Sequence, residues 1–201
     1  MIVWTPILVM IAAYLLGSIP FGLLLARLGG AGDVRAIGSG AIGATNVLRT
    51  GRKDLAAATL LLDLIKGGVA VLLALWFAPD AAPAAGALAV LGHLYPVWLR
   101  FRGGKGAATL MGVAWVLAPV AGLVYAVLWV GTVALTRFSS VGSMVAAVSL
   151  PVTLWAIGRG ALLPAAIPLA LLVLWAHRSN IGRLFAGTEP KVGRAKARPH
   201  E

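Results

Sequence analysis

Long apolar stretches separated by short polar segments are the feature that most constrains the fold of this chain. Of its 201 residues, 60% are apolar, whereas soluble proteins are closer to half apolar. About 20 consecutive apolar residues are enough for a helix to cross the hydrocarbon core of a bilayer. Because that core offers no water to the backbone, a spanning segment must satisfy its own hydrogen bonds. We therefore predict an all-α integral membrane protein that forms a single polytopic domain over residues 1–201.

Six stretches have the apolarity and approximate length of membrane-spanning helices. They are Ile2–Leu28, Leu55–Ala78, Ala84–Leu99, Ala107–Leu135, Val141–Ile157 and Ala161–Ala176. The first stretch lacks the basic start and the cleavage site of a signal peptide, so we expect it to be retained, with a kink at Pro20. As one helix the fourth stretch would extend about 43 Å, well beyond a core of about 30 Å. Pro119 marks a break within it.

Basic residues indicate how often the chain crosses the membrane. They cluster in the connection around Arg27–Lys53, in the connection around Arg100–Lys105, and in the C-terminal part, which ends in a basic tail over residues 187–201. The connection near Asp80 has no basic residue. The positive-inside rule places the three basic groups in the cytoplasm, which requires residues 107–135 to cross twice. We therefore predict seven transmembrane helices, with the N-terminus outside and the C-terminus cytoplasmic.

Composition excludes several kinds of chemistry and of partner. The chain has no cysteine, so disulfides, thiolate catalysis and cysteine-ligated metals are ruled out. Its three histidines and six acidic residues show no metal-ligand spacing, and we expect neither a metal nor a cofactor. The formal net charge of +11 falls between apolar stretches. It therefore indicates anionic lipids and anionic substrates rather than nucleic acid.

The first polar segment is rich in glycine, serine, threonine and asparagine. Its backbone N–H groups and small polar side chains can surround an anion. A helix that starts near Thr45 would favour the same anion at its N-terminus, and an arginine would add a bidentate phosphate contact. A flexible surface loop is the alternative interpretation. The candidate residues are Ser39, Gly40, Gly43, Thr45, Asn46 and Arg49.

The second polar segment contains a lysine among three glycines. Glycines let the backbone approach an anion closely, and the lysine adds a mobile positive charge. The segment lacks the G-x-x-x-x-G-K-[ST] spacing and the preceding strand of a Walker A loop, so we do not expect an ATPase. Its basic and aromatic residues are also typical of membrane anchors. The candidate residues are His93, Gly103, Gly104, Lys105 and Gly106.

The third polar segment follows the last apolar stretch. A helical turn would put His177 and Asn180 on one face, because they lie three residues apart. A histidine at a membrane surface is a functional candidate, although a basic helix end without a function would look similar. The candidate residues are His177, Asn180, Arg183, Glu189 and Lys191.

Asp63 and Lys66 are ionisable residues within an apolar stretch. Charged groups inside a membrane span are costly, and they are usually paired or functional. Two interpretations stay open for these two residues. They pair with each other, or they support the first polar segment from below.

With these segments the chain resembles the bacterial membrane glycerol-3-phosphate acyltransferases that use acyl phosphate as the acyl donor. The resemblance extends from Leu16 to Lys191 and is carried by Gly38–Arg49, Gly92–Thr109 and His177–Lys191. These motifs occur in order and at the boundaries of the predicted spans. One departure is Ala41, where the family typically has asparagine, so a polar side chain is missing here.

The resemblance implies a seven-helix protein of the bacterial cytoplasmic (inner) membrane, with its active site facing the cytoplasm. The implied reaction moves a fatty acyl group from acyl phosphate to the 1-hydroxyl of glycerol 3-phosphate. It yields lysophosphatidic acid and inorganic phosphate, in the first acylation of phospholipid synthesis. The implied partners are the two substrates and membrane lipids, with no obligatory protein partner.

For the mechanism we favour direct attack of the glycerol hydroxyl on acyl phosphate, because that donor is already activated. A covalent relay through Ser39 is the alternative. Lys105, Arg49 and the loop N–H groups would stabilise the phosphates and the developing oxyanion. His177 is the protein's best candidate for a general base, and a substrate phosphate oxygen is the other. A transporter of organic phosphates or a membrane scaffold would share parts of the pattern, but no internal repeat supports a transporter.

Overall fold

The computed structural model describes residues 4–193 of the chain. Within this range there is no β-strand, and the all-α prediction is confirmed. Most of the predicted basic tail lies outside the described residues. The helices are α1 (Thr5–Gly17), α2 (Phe21–Leu28), α3 (Ala44–Val47), α4 (Lys53–Phe77), α5 (Ala82–Leu94), α6 (Ala107–Leu117), α7 (Pro119–Thr136), α8 (Ser139–Ala156), α9 (Leu163–Ala176) and α10 (Arg178–Phe185).

The helices supply four to six candidate membrane spans within the described residues. The helical segments Lys53–Phe77, Pro79–Leu99, Pro119–Thr136 and Ser139–Ala156 are each long and apolar enough to cross. Two more spans result if α1 with α2, bent by 41°, and α9 with α10, bent by 53°, each cross as one unit. Helix α6 is apolar but has only 11 residues, fewer than the roughly 17–25 of a usual span.

The predicted break near Pro119 is confirmed. Helix α6 ends at Leu117 and α7 begins at Pro119. Proline cannot donate the backbone hydrogen bond that a continuous helix would need at this point, and Ala118 takes a non-helical conformation. A Cβ built on Gly122 would overlap with the backbone of Trp115. The two helices therefore pack closely on either side of the break.

The first span bends where its sequence contains Gly17 and Pro20. Helix α1 ends at Gly17 and α2 begins after Pro20, as predicted from the proline. The bend leaves the carbonyl of Ile19 outside both helices, and Lys66 of α4 donates to it over 2.8 Å. The Lys66 Nζ also lies 2.8 Å from Asp63 Oδ1, and both side chains are buried. Of the two interpretations left open for these residues, pairing with each other is the one that the structure shows.

Small residues bring α4 close to its neighbours. A Cβ on Gly67 of α4 would overlap with the carbonyl of Thr109 in α6, and one on Gly112 of α6 would overlap with the carbonyl of Leu64. Glycine at such contacts lets two helix backbones approach closely, as is common in membrane proteins. Helix α4 thereby fixes the position of α6, whose first residues reach the site described next.

Candidate active site

An open cavity lies at the end of the bundle where α5 and α9 end and α6 and α8 begin. Asp80 and Arg159 lie in connections at the opposite end. All three polar segments contribute to the lining. The predicted residues among them are Ser39, Gly43, Thr45, Asn46, Arg49, His93, Lys105, Gly106, His177, Asn180 and Glu189.

In the first segment, Asn46 holds the loop in shape. Its Nδ2 donates to the carbonyl oxygens of Val34 at 2.6 Å and Ile37 at 3.2 Å. Its Oδ1 accepts from the N–H of Ser39 at 3.2 Å. Both donor hydrogens and the oxygen therefore already have partners within the loop. We therefore revise the prediction that Asn46 contacts a phosphate. Its side chain holds the first segment in shape instead.

Glycines of the first segment allow its sharp turns. Gly38 and Gly40 have φ of +56° and +70°, in the left-handed region that favours glycine. A Cβ on Gly38 would overlap with the side chains of Arg49 and Asn46. The turn therefore packs directly against Arg49, which lines the cavity. Gly40 lies outside the cavity lining, so its role is in the turn rather than in a ligand contact.

The first segment continues into the helical start that the sequence predicts. Helix α3 begins at Ala44, one residue before the predicted start at Thr45, and a short 3₁₀ turn over Leu48–Thr50 follows it. Arg49 lies in that turn, where its side chain lines the cavity. Burial lowers the pKa of Arg49, but a guanidinium stays protonated in proteins. The segment thus delivers one lasting positive charge to the cavity.

In the second segment, two glycines fold the chain tightly onto the end of α5. The N–H groups of Gly103 and Gly104 donate to the carbonyls of Leu94 and His93, each at 3.0 Å. A Cβ on Gly104 would overlap with the His93 ring. These N–H groups therefore already have backbone partners and are not available to an anion. The prediction that Gly103 and Gly104 bind phosphate through their N–H groups is corrected accordingly. Gly106, with φ of +82°, precedes α6 and does line the cavity.

Lys105 is the cation that the second segment presents to the cavity. Its Nζ donates to Asn180 Oδ1 at 2.5 Å. The start of α6 opens onto the same cavity, and a helix N-terminus favours negative charge. Burial lowers the pKa of Lys105 to about 8. Arg183 and Arg49 act in the same direction, and Glu189 opposes them. At neutral pH the ammonium is therefore charged and suited to an anionic ligand.

His177 lies at the junction of α9 and α10. Its Nδ1 is 2.8 Å from the carbonyl oxygen of Val173. The hydrogen therefore belongs on Nδ1, and Nε2 remains an acceptor. Burial, with help from the Lys105 cation, lowers the pKa of His177 to about 4. The imidazole is consequently neutral at physiological pH and a weak base.

Glu189 is surrounded by donors from its own protein. Its Oε1 accepts from Ser140 Oγ at 2.7 Å and from Asn180 Nδ2 at 2.6 Å. Its Oε2 accepts from Arg183 Nε at 2.7 Å. Burial favours the neutral acid, but these hydrogen bonds outweigh it and lower the pKa of Glu189. The predicted direct contact of Glu189 with substrate is revised, because this carboxylate organises neighbouring side chains.

Two further predicted residues lie beside the cavity rather than in its lining. Arg183 pairs with Glu189, and its buried Nη2 has no hydrogen-bond partner within residues 4–193. The ammonium of Lys191 stacks 5.4 Å from the ring centre of Phe138. The structure therefore does not support the predicted phosphate contact for Lys191. A contact between Arg183 and a ligand stays a prediction.

Helices α7 and α8 contribute lining residues that sequence reasoning missed. Tyr125 donates to the carbonyl of Ala107 at 3.0 Å, which ties α7 to the start of α6. Trp129 Nε1 donates to Ser143 Oγ at 3.2 Å. The one sequence signal for these residues is a cluster of serines at the start of an apolar helix. The missed residues with polar side chains are Tyr125, Trp129, Ser139, Ser140 and Ser143.

Asp63 and His93 of the cavity lining belong to a buried cluster that also contains Lys66. The Nδ1 of His93 lies 3.5 Å from the Asp63 oxygen that pairs with Lys66. Across the described part of the chain, no group of three or more histidine and acidic side chains could hold a metal ion. The expectation of a reaction without metal or cofactor stays a prediction.

Comparison with known proteins identifies the family. The model of the family described as glycerol-3-phosphate acyltransferase matches residues 7–187. The chain belongs to the glycerol-3-phosphate acyltransferase family. The match spans the first and second polar segments and the third up to Gly187, so it includes every residue of the cavity lining except Glu189.

Relatives and solved structures agree with this family. The chain is 55% identical over 184 residues to the glycerol-3-phosphate acyltransferase of Brucella suis, which covers 92% of both chains. It is 54% identical over 187 residues to that of Mesorhizobium japonicum, covering 93% of this chain and 96% of the relative.

Two crystal structures share the fold of this family member. Both are of PlsY (YgiH), described as an integral membrane glycerol 3-phosphate acyltransferase, and each is 38% identical to this chain and covers 94% of it. The glycerol 3-phosphate form has a TM-score of 0.88 and is covered to 96%. The lysophosphatidic acid form has a TM-score of 0.86 and is covered to 95%. The chain is therefore an integral membrane protein of the acyltransferase family.

Proposed function

We propose that this protein transfers a fatty acyl group from acyl phosphate to the 1-hydroxyl of glycerol 3-phosphate. The observation that carries the proposal is the convergence of Lys105 and Arg49, from two separate segments, in one cavity of a family member. Both substrates carry a phosphate, and the relatives are named for glycerol 3-phosphate. The structure in the lysophosphatidic acid form supports that compound as the product.

Acyl phosphate suits this site as the donor because it is an activated anhydride. The glycerol oxygen attacks the acyl carbon, the bond from that carbon to the phosphate oxygen breaks, and inorganic phosphate leaves. No covalent intermediate on the protein is needed, and the chain has no cysteine to form one. Ser39 lines the cavity and accepts from the N–H of Ala41 at 3.5 Å. We assign Ser39 to substrate binding.

Positive charge in the cavity supports both phosphates. Lys105 and the start of α6 face the cavity from one side, and Arg49 faces it from another. Groups placed in advance around developing charge stabilise a transition state because they need no reorganisation during the reaction. Leu60 and Met111 provide apolar wall for the start of the acyl chain.

The proton of the attacking hydroxyl goes to a substrate phosphate oxygen in this proposal. A phosphate group has a second pKa of about 6, whereas burial holds the pKa of His177 near 4. The phosphate is therefore the stronger base of the two candidates. His177 contributes Nε2 as a hydrogen-bond acceptor that orients the glycerol hydroxyl. The reaction is balanced in protons, because the proton lost by the glycerol hydroxyl leaves with inorganic phosphate.

We also propose seven crossings, with the N-terminus outside and the cavity facing the cytoplasm of a bacterial inner membrane. The six candidate spans become seven if α6 crosses despite its 11 residues. The basic connections around Arg49 and Lys105 then lie in the cytoplasm with the cavity, as the positive-inside rule requires. Asp80→Cys and Arg102→Cys should label from opposite sides of intact cells, without competition from native cysteines. Labelling of both from one side would contradict this topology.

The decisive experiment for the activity uses the protein purified in detergent. With acyl phosphate and glycerol 3-phosphate, we expect lysophosphatidic acid and inorganic phosphate in equal amounts. An acyl thioester in place of acyl phosphate should give no product, and a chelator should leave the rate unchanged. Product from the thioester would contradict the proposed donor. Absence of product from either donor would contradict the activity.

A further inference from the structure

The segment after α10 is fastened across the turn between α7 and α8. Val192 N–H donates to the carbonyl of Arg137 at 2.7 Å, and the Arg137 guanidinium donates to the carbonyl of Val192 at 3.0 Å. Lys191 stacks on Phe138 in the same turn. These contacts place Glu189 beside Ser140, the second residue of α8. The site therefore depends on residues that are far from Lys105 in the sequence.

A continuous line of short hydrogen bonds leads from Ser140 to Lys105. Ser140 Oγ donates to Glu189 Oε1 at 2.7 Å, Asn180 Nδ2 donates to the same oxygen at 2.6 Å, and Lys105 Nζ donates to Asn180 Oδ1 at 2.5 Å. Ser140 and Asn180 are each 3% exposed and Glu189 is 9% exposed. Little water can therefore replace a lost partner along the line.

We propose that Ser140 is a positioning residue of acyl transfer, which holds Glu189 so that Asn180 keeps the Lys105 ammonium in place in the cavity. This inference rests on the function proposed above. Ser140 acts here through other side chains, and its hydroxyl is already donated to Glu189.

The chemistry of the four groups permits one arrangement of the Asn180 amide. An ionised carboxylate only accepts hydrogen bonds and an ammonium only donates them. The amide must therefore turn its NH₂ to Glu189 and its oxygen to Lys105. If Glu189 moved, the Asn180 amide would no longer be fixed in this orientation. Its flipped orientation occupies the same space and differs only in its hydrogen-bond partners. Ser140 provides one of the two donors on the carboxylate oxygen that fixes the amide.

The test compares variants that differ only in the hydroxyl. Ser140→Ala should lower kcat/KM on the order of 10-fold, the size expected for loss of a hydrogen bond to a charged group. Ser140→Thr, which keeps the hydroxyl, should retain more activity than the near-isosteric Ser140→Val. Ser149→Ala is the matched control, since Ser149 lies on the same helix and donates only to the carbonyl of Ala146. Its activity should equal that of the parent.

A double-mutant cycle shows whether Ser140 acts through Asn180. In an Asn180→Ala background, Ser140→Ala should cause little further loss, because residues on one path are not additive. The proposal would be overturned if the activity losses of Ser140→Ala and Asn180→Ala were additive and Ser140→Thr were as impaired as Ser140→Ala. That result would show that Ser140 contacts the substrate directly. Parental activity in Ser140→Ala, or equal activity of the Thr and Val variants, would also overturn it.

The same set of proteins keeps this inference separate from the proposed function. Inactivity of the parent and of Ser149→Ala would refute the acyl transfer itself. An active parent with no effect of the Ser140 hydroxyl would refute only the positioning role. An additional readout is the alkaline decline of kcat/KM. Because Glu189 helps to keep Lys105 protonated, Ser140→Ala should move that decline to lower pH.

Discussion

The two glycine-containing loops of the cavity look alike in sequence but need glycine for different reasons. In the first loop, Gly38 and Gly40 have positive φ, and the turns that they form are held by Asn46. In the second loop, Gly103 and Gly104 lie where a side chain would collide with the end of α5, and their N–H groups donate to its carbonyls. Glycine content alone therefore does not identify a phosphate nest. The hydrogen-bond partners of each N–H have to be known.

The loops also differ in how they hold their cations. Arg49 of the first loop packs against the turn at Gly38. Lys105 of the second loop is held by Asn180, which comes from a helix 75 residues further along the chain. The first cation is thus positioned locally and the second by tertiary contacts. The following experiments break or sharpen this comparison.

Replacement of Lys105 should have the largest effect. Lys105→Ala should insert normally but lose activity on the order of 10²-fold or more, as expected for loss of one preorganised charge-stabilising group. Lys105→Arg should be impaired less, because charge is kept while the shape of the cation changes. Arg102→Ala, which removes an exposed cation of the same loop, is the control and should keep parental activity. Steady-state rates of the purified variants check this, and near-parental rates for both Lys105 variants would return Lys105 to a membrane-anchoring role.

Replacement of Gly104 and of Gly40 by alanine should distinguish the two reasons for which the loops need glycine. Gly104→Ala should destabilise the protein by about 3 kcal/mol, since the new methyl group would overpack against His93. Gly40→Ala meets no atom closer than 3.5 Å, so it should cost only the backbone strain of about 1 kcal/mol. Thermal unfolding in detergent measures both. A Gly40 variant less stable than the Gly104 variant would reverse the comparison.

The rate should decline in alkaline solution because of Lys105. Its pKa of about 8 means that the ammonium is present below this pH and is lost as the pH rises through it. We expect kcat/KM, which reports the free enzyme, to fall up to about tenfold per pH unit above pH 8. A guanidinium stays charged throughout this range. A pH profile of Lys105→Arg should therefore lack this decline, and its persistence there would assign the titration to another group.

Ser39 of the first loop should show a smaller effect. Ser39→Ala should lower turnover about tenfold or less, the range for loss of one hydrogen bond. Mass spectrometry of the parent protein during turnover should find no acyl group on Ser39. An acylated Ser39 would instead establish a covalent relay and contradict direct transfer.

Sequence reasoning reached the parts of the fold that depend on local signals. The all-helical class follows from the apolar stretches, and the break at Pro119 follows from the missing proline N–H. The spacing of Asp63 and Lys66 and the cost of isolated charges in a span made their pairing one of two interpretations, and the structure selects it. The 11 residues of α6 follow from the same break, because only residues 107–118 lie between the start of the apolar stretch and Pro119.

The candidate site could be predicted in its composition but not in its division of roles. Asn46, Gly103 and Glu189 were all expected to contact phosphate, yet each has its polar groups committed within the protein. Those commitments depend on partners elsewhere in the chain. Ser140 and Glu189, for example, are 49 residues apart. No local pattern reports a pairing at such a separation, so tertiary structure was needed to distinguish positioning residues from binding residues.

The central claim is that the Lys105 cavity holds the phosphate of glycerol 3-phosphate. Isothermal titration calorimetry with the purified protein, without an acyl donor, measures this binding directly. The account predicts that the parent and Arg102→Ala bind glycerol 3-phosphate with the same affinity. Lys105→Ala should bind it on the order of 10-fold or more weakly, as for loss of a charge-assisted hydrogen bond. Equal affinity in all three proteins would contradict the claim.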